Sequence, residues 1–178
     1  MENFLHIVAI WAHIIGIAIF VGPQFFLAMG VIPATRGITD PMERARATRV
    51  VTTRFGWLAG VGLFIILVAG TYLIASWRDY YGIPDDVAFL DLRYGVVFTV
   101  KMTVLIFMVI AVGLHVFVVG PRQLDLMEEQ ARGRPVDGEL SRMRRLSMLL
   151  SVSGLVLALV IMVMGASLST ANYSLQEF

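Results

Sequence analysis

Apolar residues gather in four long runs, roughly 4–32, 55–77, 96–119 and 146–169, and the charged ones fall almost entirely between them. Each run meets or exceeds the ~20 residues that carry a helix, at ~1.5 Å per residue, across ~30 Å of hydrocarbon. A backbone in lipid must satisfy its own hydrogen bonds, so each run predicts a helix. The connections are short, which makes consecutive spans antiparallel neighbours. The expected fold is therefore an all-α integral membrane protein, an up-down-up-down four-helix bundle in one domain over residues 1–178. No internal repeat stands out. The first run does not read as a cleaved signal peptide, because it has no basic leader and meets Pro33 and Arg36 without a small-residue cleavage site.

The connections have their own grammar. In ITDPMERARATRVV, Thr39 or Asp40 can cap a helix whose first position suits Pro41, and Glu43 favours its positive end. That helix is expected to run unbroken into the second span and to leave Arg54 at the membrane boundary. PRQLDLMEEQARGRPVDGELSRMRRL reads as an amphipathic extension stopped at Gly133 and a new helix near Asp137, its paired charges a solvated face. RDYYGIPDDVAFLDLRYG reads as an interfacial aromatic belt with a turn at Gly82–Pro84. Its carboxylates also fit a docking face for a basic redox carrier or a metal ion. The small-x-x-x-small spacing of Gly56 and Gly60, followed by Gly62 and Gly70, predicts close packing of the second helix against a neighbour or a flat cofactor edge.

Charge gives the bundle a direction. Five arginines (36, 44, 46, 49 and 54) lie in the first connection and six (122, 132, 134, 142, 144 and 145) in the third, whereas the second has Arg78 and Arg93 among four aspartates. Basic loops stay in the cytoplasm, so both termini and the Asp-rich loop are expected outside, in a bacterial cytoplasmic (inner) membrane. Composition agrees: 58% hydrophobic, 15% charged and a mean hydropathy of +0.80 exclude an ordinary soluble domain. A net charge of +1 gives no reason to expect nucleic acid. The absence of cysteine excludes disulfides, thiolate metal sites and covalent c-type haem.

Against that background, the ionisable groups inside the spans are few: His6, His13, Lys101 and His115. Such groups are expensive in lipid and are candidates for function. Lys101 is the only lysine among 14 cations. Unlike arginine, a desolvated lysine can shed its proton and act as a base or an amine ligand. Counted from the outer boundary at ~1.5 Å per residue, His6 lies about 3 Å deep, His13 about 13 Å, Lys101 about 9 Å and His115 about 30 Å. His13 and His115 differ by about 17 Å, too far to bind opposite faces of one iron, whereas His13 and Lys101 differ by about 4 Å. The pair expected to face each other across the bundle is His13 and Lys101. His6, one heptad above His13, is an alternative ligand or a proton route. His115 fits an interfacial role better than ligation. The ten methionines form no clustered array for Cu(I).

The run HIIGIAIFVGPQFFLAMGVIP from His13 resembles the first helix of the copper-resistance protein D type of membrane domain. It also resembles the related membrane protoporphyrinogen oxidases of the HemJ type. Arg54 and Gly70 stand where the second helix of those families opens and closes, and KMTVLIFMVIAVGLH is similar to their third, with an early lysine and a late histidine. The resemblance implies a b-type haem protein with His13 and Lys101 as the functional pair and Arg54 near the cofactor. The chain departs from the pattern at Phe20, where the families have tryptophan. It also departs at Leu27 and Ala28, where the oxidases carry an arginine that would suit porphyrin propionates. The expected role is electron transfer, alone or as a small subunit of a larger membrane redox complex. A protoporphyrinogen oxidase, a copper-handling permease domain and a structural spacer without cofactor are the alternatives.

Overall fold

Four helices in a computed structural model, which describes residues 2–177, are long and apolar enough to cross a membrane: Phe4–Thr35, Pro41–Ala75, Arg93–Ala131 and Asp137–Leu168. The chain is an all-α, multi-pass membrane bundle. One end carries both chain ends and the Asp-rich connection (the terminal end), and the other carries the two arginine-rich connections (the basic end). In chain order the elements are α1 (Glu2–Phe26), a π-turn (Leu27–Val31), α2 (Ile32–Thr35), α3 (Pro41–Ala75) and α4 (Trp77–Tyr81). A short 3-10 turn, Phe89–Asp91, then leads to α5 (Arg93–Leu114), a second π-turn (His115–Val119), α6 (Gly120–Ala131), α7 (Asp137–Leu168) and α8 (Ala171–Ser174).

The helix boundaries follow from side-chain chemistry. Asp40 caps α3, its carboxylate accepting from the amides of Met42 (2.7 Å) and Glu43 (3.2 Å), and Pro41 occupies the first turn. Gly82 (φ 64°) closes α4 and Gly133 (φ 80°) lies just beyond α6, both in the left-handed region that favours glycine. The helices run past the apolar stretches at the basic end, so α3 begins 14 residues before the second apolar run at position 55.

Two π-turns interrupt the first and third spans. In the first, the Ile32 amide reaches back five residues to the Leu27 carbonyl, and Pro33 follows. In the second, the Gly120 amide reaches the His115 carbonyl, and Pro121 follows. Proline has no N–H to give to the carbonyl four residues back and its ring crowds that carbonyl, and the wider turn before each proline relieves both problems.

α1 packs along α3 and α5 along α7, giving two hairpins. The first hairpin is held by backbone contact at Gly16 and Gly62. A Cβ at Gly62 would lie 2.8 Å from the Phe20 nitrogen and 2.9 Å from the Gly16 carbonyl oxygen. This corrects the expectation for Gly56 and Gly60: a Cβ at Gly60 meets nothing within 4 Å, and one at Gly56 makes an ordinary contact with Val116. All four spans contribute to one apolar core built on Phe20, Val21, Met108 and Ala158. A second core, around Trp77, Leu92, Tyr94 and Leu168, closes the terminal end.

Between the hairpins the backbones meet most extensively at the basic end, α3 against α6. There the Arg49 guanidinium reaches both Asp125 (2.7 Å) and Glu128 (2.6 Å), and Arg122 ties α6 to Glu139 of α7 (2.6 Å).

Candidate functional site

The polar groups inside the spans are placed by three elements. α1 brings His13 against α3, where its Nδ1 lies 3.1 Å from the carbonyl oxygen of Ile66. A carbonyl can only accept, so Nδ1 carries the proton and donates it. The tautomer is thereby fixed, and the Nε2 lone pair is left free to bind a metal or take a proton. Gly70, one turn further along α3, makes room for the ring: a Cβ there would stand 3.2 Å from His13 Cε1.

Lys101 arrives from α5. Its ammonium lies over the Phe98 ring, 5.9 Å from the centroid. Both side chains are half-buried. The expected pair stands at a similar level on the two hairpins, each residue one turn before a side chain, Ile17 or Leu105, that packs against the same core.

The pair occupies a polar layer between two apolar ones. Toward the basic end lies the four-span core, where Ile17 and Leu105 pack next to Phe20 and Met108. Toward the terminal end lies an aromatic roof. Tyr94 stacks on Trp77 (4.9 Å, 8°) and nearly parallel to Phe98 (6.4 Å, 4°), with Phe89 edge-on to all three. Arg78 pins the connection above this roof, donating to the carbonyls of Pro84 and Val87 (both 2.9 Å) while its guanidinium lies over Trp77. Burial, with some help from neighbouring Tyr80, pushes the Tyr81 phenol above its ordinary pKa, so the phenol stays protonated across the neutral range.

The other candidates are placed elsewhere. His6 is buried in the roof's edge, stacked on Tyr80 (3.6 Å, 5°) with its Nδ1 3.4 Å from Ser76 Oγ. His115 opens the second π-turn, its Nε2 3.2 Å from Ser151 Oγ and its Nδ1 buried with no partner. Arg54 is exposed on α3, twelve residues and so about 18 Å along the helix from Ile66. Neither His115 nor Arg54 joins the pair. Among the described residues, no group of three or more His, Asp or Glu side chains gathers to hold a metal ion.

Sequence reasoning missed the Ile66 carbonyl. Any residue type supplies one, so nothing in the sequence marks it. Gly70 was visible as a small residue, and the structure gives it a specific neighbour. Comparison with family models, with curated proteins and with solved structures finds no match to the chain.

Proposed function

We propose that the chain is a b-type haem-binding membrane protein that carries electrons, with His13 Nε2 as iron ligand and Lys101 as the second ligand or a neighbouring base. The observation that carries this reading is the His13–Ile66 hydrogen bond. It orients the ring with Nδ1–H on the carbonyl, so that the neutral imidazole presents Nε2, the atom a haem iron binds, at the level of a second polar group from the opposite hairpin.

The residues present fit the group. The apolar edges of a porphyrin are suited by the aromatic cluster on the terminal side and the aliphatic core on the basic side. A porphyrin-bound iron needs only one or two protein ligands, which His13 and Lys101 can supply. A bare copper ion calls for a larger set of donors gathered at one place. Bound here, the haem would supply a one-electron couple between ferrous and ferric iron. The protein's part is to orient the ligand through Ile66, exclude water through the roof, and set the local charge with Lys101.

In the same reading the arginine-rich loops face the cytoplasm of a bacterial inner membrane, and the site lies in the outer half. Asp79, Asp85, Asp86 and Asp91 are all exposed, and among the described residues none of them is in an ion pair. That leaves their charge available to a basic redox carrier on the outside, or to a partner subunit of a membrane redox complex.

The test is a reduced-minus-oxidised visible spectrum of the purified protein with His13→Ala, Lys101→Ala and His115→Ala beside it. A b-type signal lost or strongly changed in the first two and kept in the third supports the reading. A signal that survives both and disappears in His115→Ala overturns it. Copper in place of haem by elemental analysis would point to the permease, and neither would point to the spacer. Haem-free protein that oxidises protoporphyrinogen would favour the enzyme.

A further inference from the structure

The two hairpins carry the same landmarks at one constant spacing. His13, the π-turn Leu27–Val31 and Pro33 recur as Lys101, the π-turn His115–Val119 and Pro121, each later number larger by 88. Prolines end apolar runs often, but an amide that reaches back five residues immediately before each proline is a rarer feature. Here it occurs twice in the same register.

Packing repeats along with it. Phe20 and Met108, in register by the same spacing, are both buried at the centre of the four-span core, and Ile17 and Leu105 both pack against it. His6 and Tyr94, one heptad before His13 and Lys101, are both buried rings stacked on the aromatic groups of the terminal end.

The second helices match at a spacing of 95. Leu63 and Ala158, and Ile66 and Ile161, take corresponding places in the core. Ala45 and Leu140 are each 1% exposed, and Gly70 corresponds to Gly165. The seven extra residues of the second hairpin fall in its basic-end connection, where α6 extends the third span. That difference in loop length, together with low residue identity, hides the relation in the sequence.

We propose that the bundle is two copies of one hairpin related by a pseudo-two-fold axis along the membrane normal, and that His13 and Lys101 are the same position in the two copies, gripping one ligand on that axis from opposite faces. First and third spans run in the same direction across the membrane, so the repeats are parallel, as such an axis requires. Equivalent positions then stand at equal depth on either side of the axis. The inference rests on the haem reading and adds to it. An axis that exchanges the two ligands of one iron lies in the plane of the porphyrin, so the ring stands upright in the membrane. The lysine is what makes an otherwise symmetric site asymmetric, and it determines which iron spectrum the site gives.

The test is to exchange the pair. His13→Lys with Lys101→His, made together and reconstituted with haem, is expected to give the visible and EPR spectra of the wild type. Lys101→His alone should give a bis-imidazole low-spin spectrum, and His13→Lys alone should lower haem affinity at least ten-fold. In oriented membrane layers of the wild type, EPR should place the haem normal in the membrane plane. Wild-type haem lying flat, or an exchanged variant that elutes as a folded protein yet holds no haem while Lys101→His does, overturns the equivalence and leaves the haem reading standing. Wild type that binds no haem overturns both. The orientation measurement needs no variant, so it decides the matter even if the exchange prevents folding.

Discussion

His13 and His115 are the same residue type, both on spans that run in the same direction, and both reach toward the helix that completes their own hairpin. His13 donates Nδ1–H to a backbone carbonyl, leaves Nε2 outside that bond and shares its level with Lys101. His115 has its Nε2 against Ser151 Oγ, and its Nδ1 is enclosed without a partner where the helix widens. The contrast teaches that membrane depth alone does not orient a histidine. What the neighbouring helix offers decides, because a carbonyl fixes the tautomer whereas a hydroxyl can serve as donor or acceptor and fixes nothing.

The sharpest way to break the contrast is to remove each ring in turn. His13→Ala is expected to lose essentially all bound haem and His115→Ala essentially none, read as haem per protein after reconstitution. Equal loss in both would erase the distinction. Crowding the ring comes next. Gly70→Val places branched carbon where a single Cβ already stands 3.2 Å from His13 Cε1, so haem affinity should fall at least ten-fold with the helix content unchanged by circular dichroism.

A smaller effect is expected far from either histidine. Arg49→Ala removes the guanidinium shared by Asp125 and Glu128, the ion pairs that join the hairpins at the basic end. Because these groups are partly exposed, the loss should be about 1 kcal/mol, seen as a lower unfolding temperature in detergent. The haem spectrum should not move. A changed spectrum would mean that the ends of the bundle are coupled, which the separation of Arg49 from the site argues against.

The smallest effect concerns the acidic loop. Asp85→Asn with Asp86→Asn should slow reduction of the haem by hexaammineruthenium(II), a cationic reductant, by about two-fold at low ionic strength. The difference should vanish at high salt. Stopped-flow reduction at two salt concentrations checks it, and an effect indifferent to salt would argue against electrostatic approach.

How much of this was legible in the residues differs by level. The four spans were, because lipid leaves apolar length as an unambiguous mark. The start of α3 was, because Asp40 and Pro41 together signal a capped first turn, and the stop near Gly133 was, because the left-handed turn there favours glycine. The shared level of His13 and Lys101 followed from counting residues along two helices that cross in the same direction.

The π-turns were not legible. One extra residue in a turn changes neither hydropathy nor composition, and only Pro33 and Pro121 hinted at them. Gly16 was overlooked in favour of Gly56 and Gly60, because a spacing motif on one helix says nothing about which of its glycines the partner backbone meets. The relation between hairpins was hidden for a similar reason, since it is carried by backbone geometry and buried position.

Each π-turn also works as a phase adjuster. A helix turns about 100° per residue, so one residue more or less rotates everything beyond it by that amount. The widened turn at His115–Val119 thus sets the bearing of α6, and with it whether Asp125 and Glu128 point at Arg49. The same turn leaves the stretch from Arg93 to Leu114 free to keep its own bearing toward the bundle axis. A single continuous span can in this way satisfy two aiming requirements that one regular helix would tie together, and its two halves are open to independent change.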